Sequence, residues 1–182
     1  MSEALLLGLD IGTTNIKAIA YNPLGSIAAS ASTVTPAYAP QPGWAEHNAE
    51  ILWHAVVTAI RQVLQRVDAR RVLALAVASV GESGVLLDAQ GQALCPIIAW
   101  HDSRTMPIFS EWLERNGKRL SCDIAGMPAK PIYSLFKLMW MREHWPAAYA
   151  AAARFLCLSD YIAFRLSGVQ ASDYSMASRT LL

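Results

Sequence analysis

The sequence predicts an α/β layered fold with a helical segment after its second hairpin, and three features favour it. Short strand-like runs joined by tight turns open the chain, an amphipathic helix follows, and a nearly continuous apolar run at 72–78 comes next. Short connections between strands force antiparallel neighbours, whereas a helix between two strands packs a layer onto the sheet.

The opening strands are predicted at 5–10, 16–21 and 26–34, where apolar residues dominate. The first two are joined by a turn that contains Gly12, and Asn22-Pro23-Leu24-Gly25 is a turn signal before the third. The prolines of 35–43 favour an extended loop after these strands.

Asn48 is expected to cap a helix that runs to about residue 67, because apolar residues recur along it at helical spacing. The run 72–78 is then predicted to be a strand buried on both faces of the sheet. Later elements follow in the same way: a hairpin of 85–88 with 93–98, a helical region from 105, and helices at 135–143, 146–153 and 160–166, the last stopped by Gly168.

Composition excludes several classes of function. The chain has 182 residues, enough for one domain, and a net charge of +1, which leaves no broad basic face for nucleic acid or anionic lipid. No apolar stretch reaches the roughly 18 residues of a membrane span. Three cysteines without paired spacing favour reduced thiols, and the N-terminus lacks the basic region of a leader, so a cytoplasmic location is expected. The apolar share of 54% fits either a large core or a surface covered by more protein.

The first candidate site follows the first strand, in the segment from Asp10 to Lys17. Gly12 lets the backbone turn closely, and backbone N–H groups with the Thr13 and Thr14 hydroxyls can hold phosphate oxygens. One carboxylate beside them suits Mg²⁺, which binds largely through phosphates and water. The alternative is an ordinary hairpin turn. The segment is neither a Walker A loop nor a dinucleotide fingerprint.

Two further candidates come later. Glu82 follows the 72–78 run, where ligands of α/β sheets tend to bind, although a solvated turn glutamate is the simpler interpretation. Trp100, Asp102 and Arg104 combine an aromatic face, a carboxylate and a guanidinium, which suits a sugar. The alternative there is an Asp–Arg ion pair beside a core tryptophan. We expect a packing role for Trp44. The histidines lack metal-ligand spacing, and no Gly-x-Ser-x-Gly is present.

Taken together, these segments resemble the FGGY family of carbohydrate kinases, which includes glycerol, xylulose, gluconate, fuculose and rhamnulose kinases. The likeness is collinear over essentially the whole chain. Its motifs are Gly8-Leu9-Asp10-Ile11-Gly12-Thr13-Thr14, Pro42-Gly43-Trp44-Ala45-Glu46, Leu87-Asp88-x-x-Gly91, Trp100-x-Asp102-x-Arg104, Lys137-Leu138-x-Trp140, Asp160-Tyr161-Ile162, Leu166-x-Gly168 and the segment 173–180.

The resemblance implies an actin-like, ribonuclease-H-like ATPase domain, two of which close around MgATP and a sugar or polyol whose hydroxyl is phosphorylated. It implies that Asp10 faces Mg²⁺ and that the phosphates are bound by Gly12, Thr13, Thr14 and Lys17. It assigns the substrate to Glu82, Trp100, Asp102, Arg104 and Tyr133. Glycerol kinases have an arginine where this chain has Gly81, which disfavours glycerol itself.

Family members are much longer than this chain, so the resemblance implies that residues 1–182 form an incomplete N-terminal domain. Within it we expect a sheet-rich core at 1–104 and a helical portion at 105–182. The family's general-base aspartate lies beyond Leu182, so no catalytic residue is expected in this chain, nor the adenosine site, and little activity is expected from it alone. The expected partners are a sugar or polyol, the C-terminal domain and a second copy in a homodimer, but neither nucleic acid nor membrane.

Two alternatives remain open at this stage. One is a non-catalytic sugar-binding or regulatory module of the same fold, and the other is a different actin-like ATPase, against which Trp100, Asp102 and Arg104 argue. The sequence leaves the substrate open among pentuloses, hexuloses, sugar acids and tetritols.

Overall fold

A computed structural model describes residues 4–182 of the chain, and the elements below lie within that range. The strands are β1 (Leu5–Ile11), β2 (Asn15–Tyr21), β3 (Ile27–Val34), β4 (Glu46–His47), β5 (Val72–Ser79), β6 (Gly84–Leu87), β7 (Ile97–Ile98) and β8 (Arg154–Cys157). The helices are α1 (Ala49–Leu64), α2 (Met106–Asn116), α3 (Leu120–Ala125), α4 (Ser134–His144), α5 (Pro146–Ala151), α6 (Leu158–Ser167) and α7 (Tyr174–Arg179).

The main sheet has the strand order β3-β2-β1-β5. The first three strands form the antiparallel meander that the sequence predicts, and β1 then pairs in parallel with β5. Alternate residues of β1, namely Leu7, Leu9 and Ile11, are buried in the core cluster, because side chains of a strand point to opposite faces of the sheet.

Helix α1 covers one face of this sheet. The Asn48 side chain accepts hydrogen bonds from the backbone N–H groups of Glu50 and Ile51, which confirms the predicted N-cap. The helix buries an apolar stripe that includes Leu52 and Val56 against β2 and β3. It ends at Leu64, one turn earlier than predicted.

The prediction that the 72–78 run is buried on both faces is wrong. Leu73 is 72% exposed, and Ala74, Leu75 and Ala76 are exposed as well. Within residues 4–182, β5 pairs only with β1 and so forms an edge of the sheet, with α6 packed beside it. The apolar composition identified a strand correctly, but composition does not say which other element covers it.

The predicted second hairpin exists only in part. A turn closes from Asp88 to Gln92, and Leu87 bridges Ala93, but β6 takes β8 as its antiparallel partner, while β7 pairs with β4. A Cβ on Gly84 would lie 2.2 Å from the Phe155 ring, so the glycine permits this close pairing. The hairpin prediction depends only on residues close together in the chain, whereas the actual partner strand β8 lies more than sixty residues further along.

A second core cluster forms under the helices that follow. Its buried members are Leu86, Ile98, Ile108, Tyr133, Phe136, Trp140 and Met141. The helices predicted near 135–143, 146–153 and 160–166 are confirmed as α4, α5 and α6, and Gly168 ends α6 with a φ of 75°. None of the helices in the described part of the chain is long and apolar enough to span a bilayer.

Candidate functional site

Two turns meet at the carboxyl edge of the main sheet. Strands β1 and β5 run in parallel and end together, with Ile11 paired to Ser79 and the Val80 N–H donating to the Ile11 carbonyl at 3.0 Å. The turn after β1 and the Gly81-Glu82 turn after β5 are therefore neighbours. Ligands of α/β sheets tend to bind at this kind of edge, and the structure places the two segments singled out separately in the sequence next to each other there.

The turn between β1 and β2 is tight. The Gly12 N–H donates to the Asn15 carbonyl at 3.1 Å, and a Cβ on Gly12 would lie 2.8 Å from that same oxygen. The Thr35 hydroxyl, just after the end of β3, donates to the Gly12 carbonyl at 2.7 Å and holds the turn in place. Thr13 and Thr14 are exposed at its tip, so their hydroxyls are available to a ligand.

Asp10 and Lys17 lie directly opposite each other in the β1–β2 register, and both are exposed. Directly opposed residues project from the same face of a sheet, so a carboxylate and an ammonium stand side by side next to the turn. Within residues 4–182, no cluster of three His, Cys, Asp or Glu side chains could hold a metal ion. A single exposed carboxylate fits Mg²⁺, which keeps several waters and binds mainly through phosphates.

Trp100 connects the turn to the segment that follows β7. Its indole N–H donates to the Thr13 hydroxyl at 3.0 Å, and the side chain remains 38% exposed. The structure thereby brings together a phosphate candidate and a sugar candidate that are 87 residues apart in the chain. Part of the aromatic face stays open to solvent beside the turn.

Glu82 lies in the second turn and is buried rather than solvated. Its Oε2 accepts hydrogen bonds from the backbone N–H and hydroxyl of Ser134, at 2.9 and 3.1 Å. Its backbone has a φ of 65°, a left-handed conformation that non-glycine residues seldom adopt and that is found at functional sites. Burial raises the pKa of Glu82, against the opposing effects of Ser134 and of the charges on Lys137 and Arg179.

Helix α4 supports this glutamate and begins just after Tyr133, which is buried in the second core cluster. The Lys137 ammonium is buried one turn into the helix and donates to the Ile132 carbonyl. Burial lowers the pKa of Lys137 to about 8, although Glu82 and Asp102 act to raise it. The sequence analysis did not predict that Lys137 lies near Glu82 and Asp102. The available signal was a lysine on the apolar face of a predicted helix.

Asp102 and Arg104 form a buried ion pair instead of facing solvent. Arg104 donates to both Asp102 carboxylate oxygens at 2.8–2.9 Å and lies 2.7 Å from Glu46, and its side chain is 0% exposed. Asp102 also accepts from the Ala45 N–H at 2.6 Å. The ion pair is the alternative that the sequence left open, and the substrate contacts expected of these two residues stay a prediction.

Trp44 packs against the Asp102–Arg104 pair, in line with the packing role expected from the sequence. The Arg104 guanidinium stacks 3.7 Å from the centroid of the Trp44 ring, and Trp44 meets Trp140 edge to face. The 44–46 segment and the 100–104 segment are therefore joined by direct contacts.

Arg179, the last residue of α7, was not among the predicted site residues. Its guanidinium lies 3.5–3.7 Å from the position that a Cβ on Gly81 would occupy, and its Nε is 3.6 Å from Glu82 Oε1. The short local pattern around Arg179 held no signal for this contact, because α7 is brought to the site only by the fold.

Comparisons with known proteins cover nearly all of the chain. Residues 5–182 match the N-terminal domain of the FGGY family of carbohydrate kinases. Glycerol kinase 1 of Saccharolobus solfataricus is 34% identical over 100% of this chain and 38% of its own length, and the glycerol kinase of Herminiimonas arsenicoxydans is 35% identical over 97% and 37%. The chain thus spans well under half the length of these relatives.

Solved structures give the same result. The gluconate kinase of Lactobacillus acidophilus superposes with a TM-score of 0.91 at 27% identity, over 99% of this chain and 36% of that one. The xylulose kinase of Rhodospirillum rubrum gives 0.90 at 27% identity, over 97% and 37%. These neighbours confirm the predicted actin-like α/β domain as a partial domain.

Proposed function

The chain belongs to the FGGY family of carbohydrate kinases, and from this premise we propose that it is the N-terminal, substrate-binding part of an enzyme that phosphorylates a hydroxyl of a sugar or polyol with ATP. The observation that carries the proposal is the hydrogen bond between Trp100 and Thr13. It joins a partly open aromatic face to a glycine turn with exposed threonines, which are the two kinds of surface that such a reaction needs.

The β1–β2 turn is the proposed phosphate site. Gly12 allows the close backbone turn, and Thr13, Thr14 and Lys17 offer hydroxyl and ammonium donors to phosphate oxygens. Asp10 lies beside the turn and would face Mg²⁺. When bound, ATP would supply the phosphoryl group and Mg²⁺ would neutralise part of the phosphate charge. The residues of this chain hold and orient MgATP.

The substrate is proposed to bind between the two turns. Trp100 offers an aromatic face for the apolar side of a sugar, and the free lone pairs of the Glu82 carboxylate accept from hydroxyls. Tyr133 directly precedes Ser134, which binds Glu82, and its packing in the second core cluster supports Ser134. Asp102 and Arg104 contribute by fixing the loop that carries Trp100.

A second domain is proposed to complete the enzyme. Phosphoryl transfer depends on donor, acceptor and general base being held together, and this chain spans 38% of glycerol kinase relatives. We propose that the remainder supplies the adenosine site and the general base, and that it covers the exposed apolar residues of β5. A second copy of the chain is the alternative cover. Because ATP is a cytoplasmic metabolite, we also propose a cytoplasmic location.

The test is a coupled ADP-release assay with MgATP and a panel of ketoses, sugar acids and polyols. It compares the 182-residue chain with the full-length protein that contains it. We expect turnover of about 1–100 s⁻¹ from the full-length protein only. Turnover by the short chain at that rate would contradict the proposed division of labour. Tight sugar binding by both forms without ADP release would instead support a non-catalytic sugar-binding module.

A further inference from the structure

Arg179 lies beside Glu82 at the proposed substrate site and has no role in the function proposed above. Its side chain is 48% exposed although it ends beside a buried glutamate. The guanidinium lies over Gly81, within 3.5–3.7 Å of where a side chain would begin, so the missing side chain leaves the space that Arg179 uses. This places a cation next to Glu82 at the carboxyl edge of the sheet.

Glu82 and Arg179 both keep hydrogen-bonding capacity where their side chains meet. Glu82 Oε2 is occupied by Ser134, whereas Oε1 has the Arg179 Nε at 3.6 Å, which is longer than a hydrogen bond. A guanidinium carries five donors and no acceptor, and a carboxylate only accepts. Glu82 and Arg179 therefore present an acceptor and a donor side by side.

The charges nearby favour a neutral ligand. Glu82 is balanced by Arg179 and the buried Lys137, while Asp102 and Glu46 share Arg104. An anionic end placed against Glu82 would meet a like charge at close range. A hydroxyl can donate to Glu82, and the oxygen of the hydroxyl on the next carbon can accept from Arg179. Such a pair of adjacent hydroxyls matches the donor and acceptor present.

We infer that Arg179 is a specificity-determining residue, which donates to the substrate hydroxyl beside the one bound by Glu82 and so selects substrates with two adjacent hydroxyls. This inference rests on the proposed kinase function. Sites built to hydrogen-bond a hydroxyl discriminate strongly against analogues that lack it, because the protein group is then left unpaired.

The test uses the full-length kinase and its Arg179→Met variant, with glycerol, D-xylulose and D-gluconate as probes, each beside its monodeoxy derivatives. For the best substrate we expect Arg179→Met to lower kcat/KM by about 10- to 100-fold, mainly through KM. For the derivative that lacks the contacted hydroxyl, the same substitution should change kcat/KM by less than about threefold. Arg179→Lys should restore part of the loss. Arg115→Met on α2, where an exposed arginine pairs with Glu111, is the matched control and should change neither.

The outcomes separate the inference from its premise. If the wild-type protein phosphorylates a probe and Arg179→Met weakens the substrate and every deoxy derivative equally, Arg179 has only a structural role and the inference fails. If the variant matches wild type on all probes, it fails as well. If wild type phosphorylates none of the probes across the full panel of ketoses, sugar acids and polyols, the proposed function fails and this inference fails with it.

Discussion

Replacing Arg104 with Met tests whether the Asp102–Arg104 pair is a structural lock. The Arg104 side chain is fully buried, bonds both oxygens of Asp102, lies 2.7 Å from Glu46 and stacks on Trp44. Methionine keeps some of the packing but removes the guanidinium that pairs with both buried carboxylates. Breaking a buried pair by removing one partner costs about 3–5 kcal/mol, a large part of the roughly 5–15 kcal/mol that stabilises a domain.

The assay is urea unfolding of the 182-residue chain, followed by tryptophan fluorescence and far-ultraviolet circular dichroism. We expect Arg104→Met to lower the free energy of unfolding by about 3–5 kcal/mol. Adding Asp102→Asn and Glu46→Gln removes the uncompensated charges, so this triple variant should recover part of the loss. Arg70→Met is the control, because Arg70 is 90% exposed and its pair with Asp68 is screened by solvent, so the free energy of unfolding should stay close to that of wild type.

Two results would refute this reasoning. One is a loss of less than about 1 kcal/mol in Arg104→Met, which would mean that the buried carboxylates find other compensation. The other is a variant of wild-type stability that fails to bind sugar, which would show that Arg104 acts on the substrate directly. If Arg104→Met does not fold, Arg104→Lys keeps the charge but not the bidentate geometry and should give an intermediate loss.

Three further predictions follow from the site. Gly12→Ala should cost about 1–3 kcal/mol by thermal melting, because its Cβ would lie 2.8 Å from a carbonyl oxygen, whereas Gly8→Ala meets only ordinary contacts and should cost less. Trp100→Phe and Thr13→Val should each lower the free energy of unfolding by about 0.5–1.5 kcal/mol, because each removes the same hydrogen bond. The double variant should lose no more than the more destabilised single variant. Losses that add up would contradict this hydrogen bond. Burial lowers the pKa of Lys137 to about 8, so between that pH and about 10.4 the unfolded chain binds more protons than the folded one. Over this range, the stability of wild type relative to Lys137→Met should therefore rise with pH. A flat or falling difference between their free energies of unfolding in urea would contradict this.

Much of the architecture was readable from local sequence. The meander, the Asn48 cap and the stop at Gly168 depend on residues close together in the chain, and their predictions were confirmed. The series of motifs also identified the family, which the match over residues 5–182 bears out. Turn chemistry and periodicity act within a few residues, so a single sequence is enough to predict them.

The sequence could not predict which distant segments meet. It left open whether Glu82 is solvated in its turn and whether Asp102 pairs with Arg104, and the fold buries Glu82 against Ser134 and forms the Asp102–Arg104 pair. Lys137 and Arg179 entered the site only through the packing of α4 and α7.

The sequence by itself determined the opening meander, the capped helix α1, the helices α4 to α6, the glycine turn and the family. The tertiary structure decided that β6 pairs with β8, that β5 lies at an edge within the described residues, and that Trp100 bonds Thr13. Local backbone preferences are set by neighbouring residues, whereas burial and ion pairing depend on which surfaces the whole chain brings together. For that reason the chemistry of Glu82, Asp102 and Arg104 became clear only once their surroundings were known.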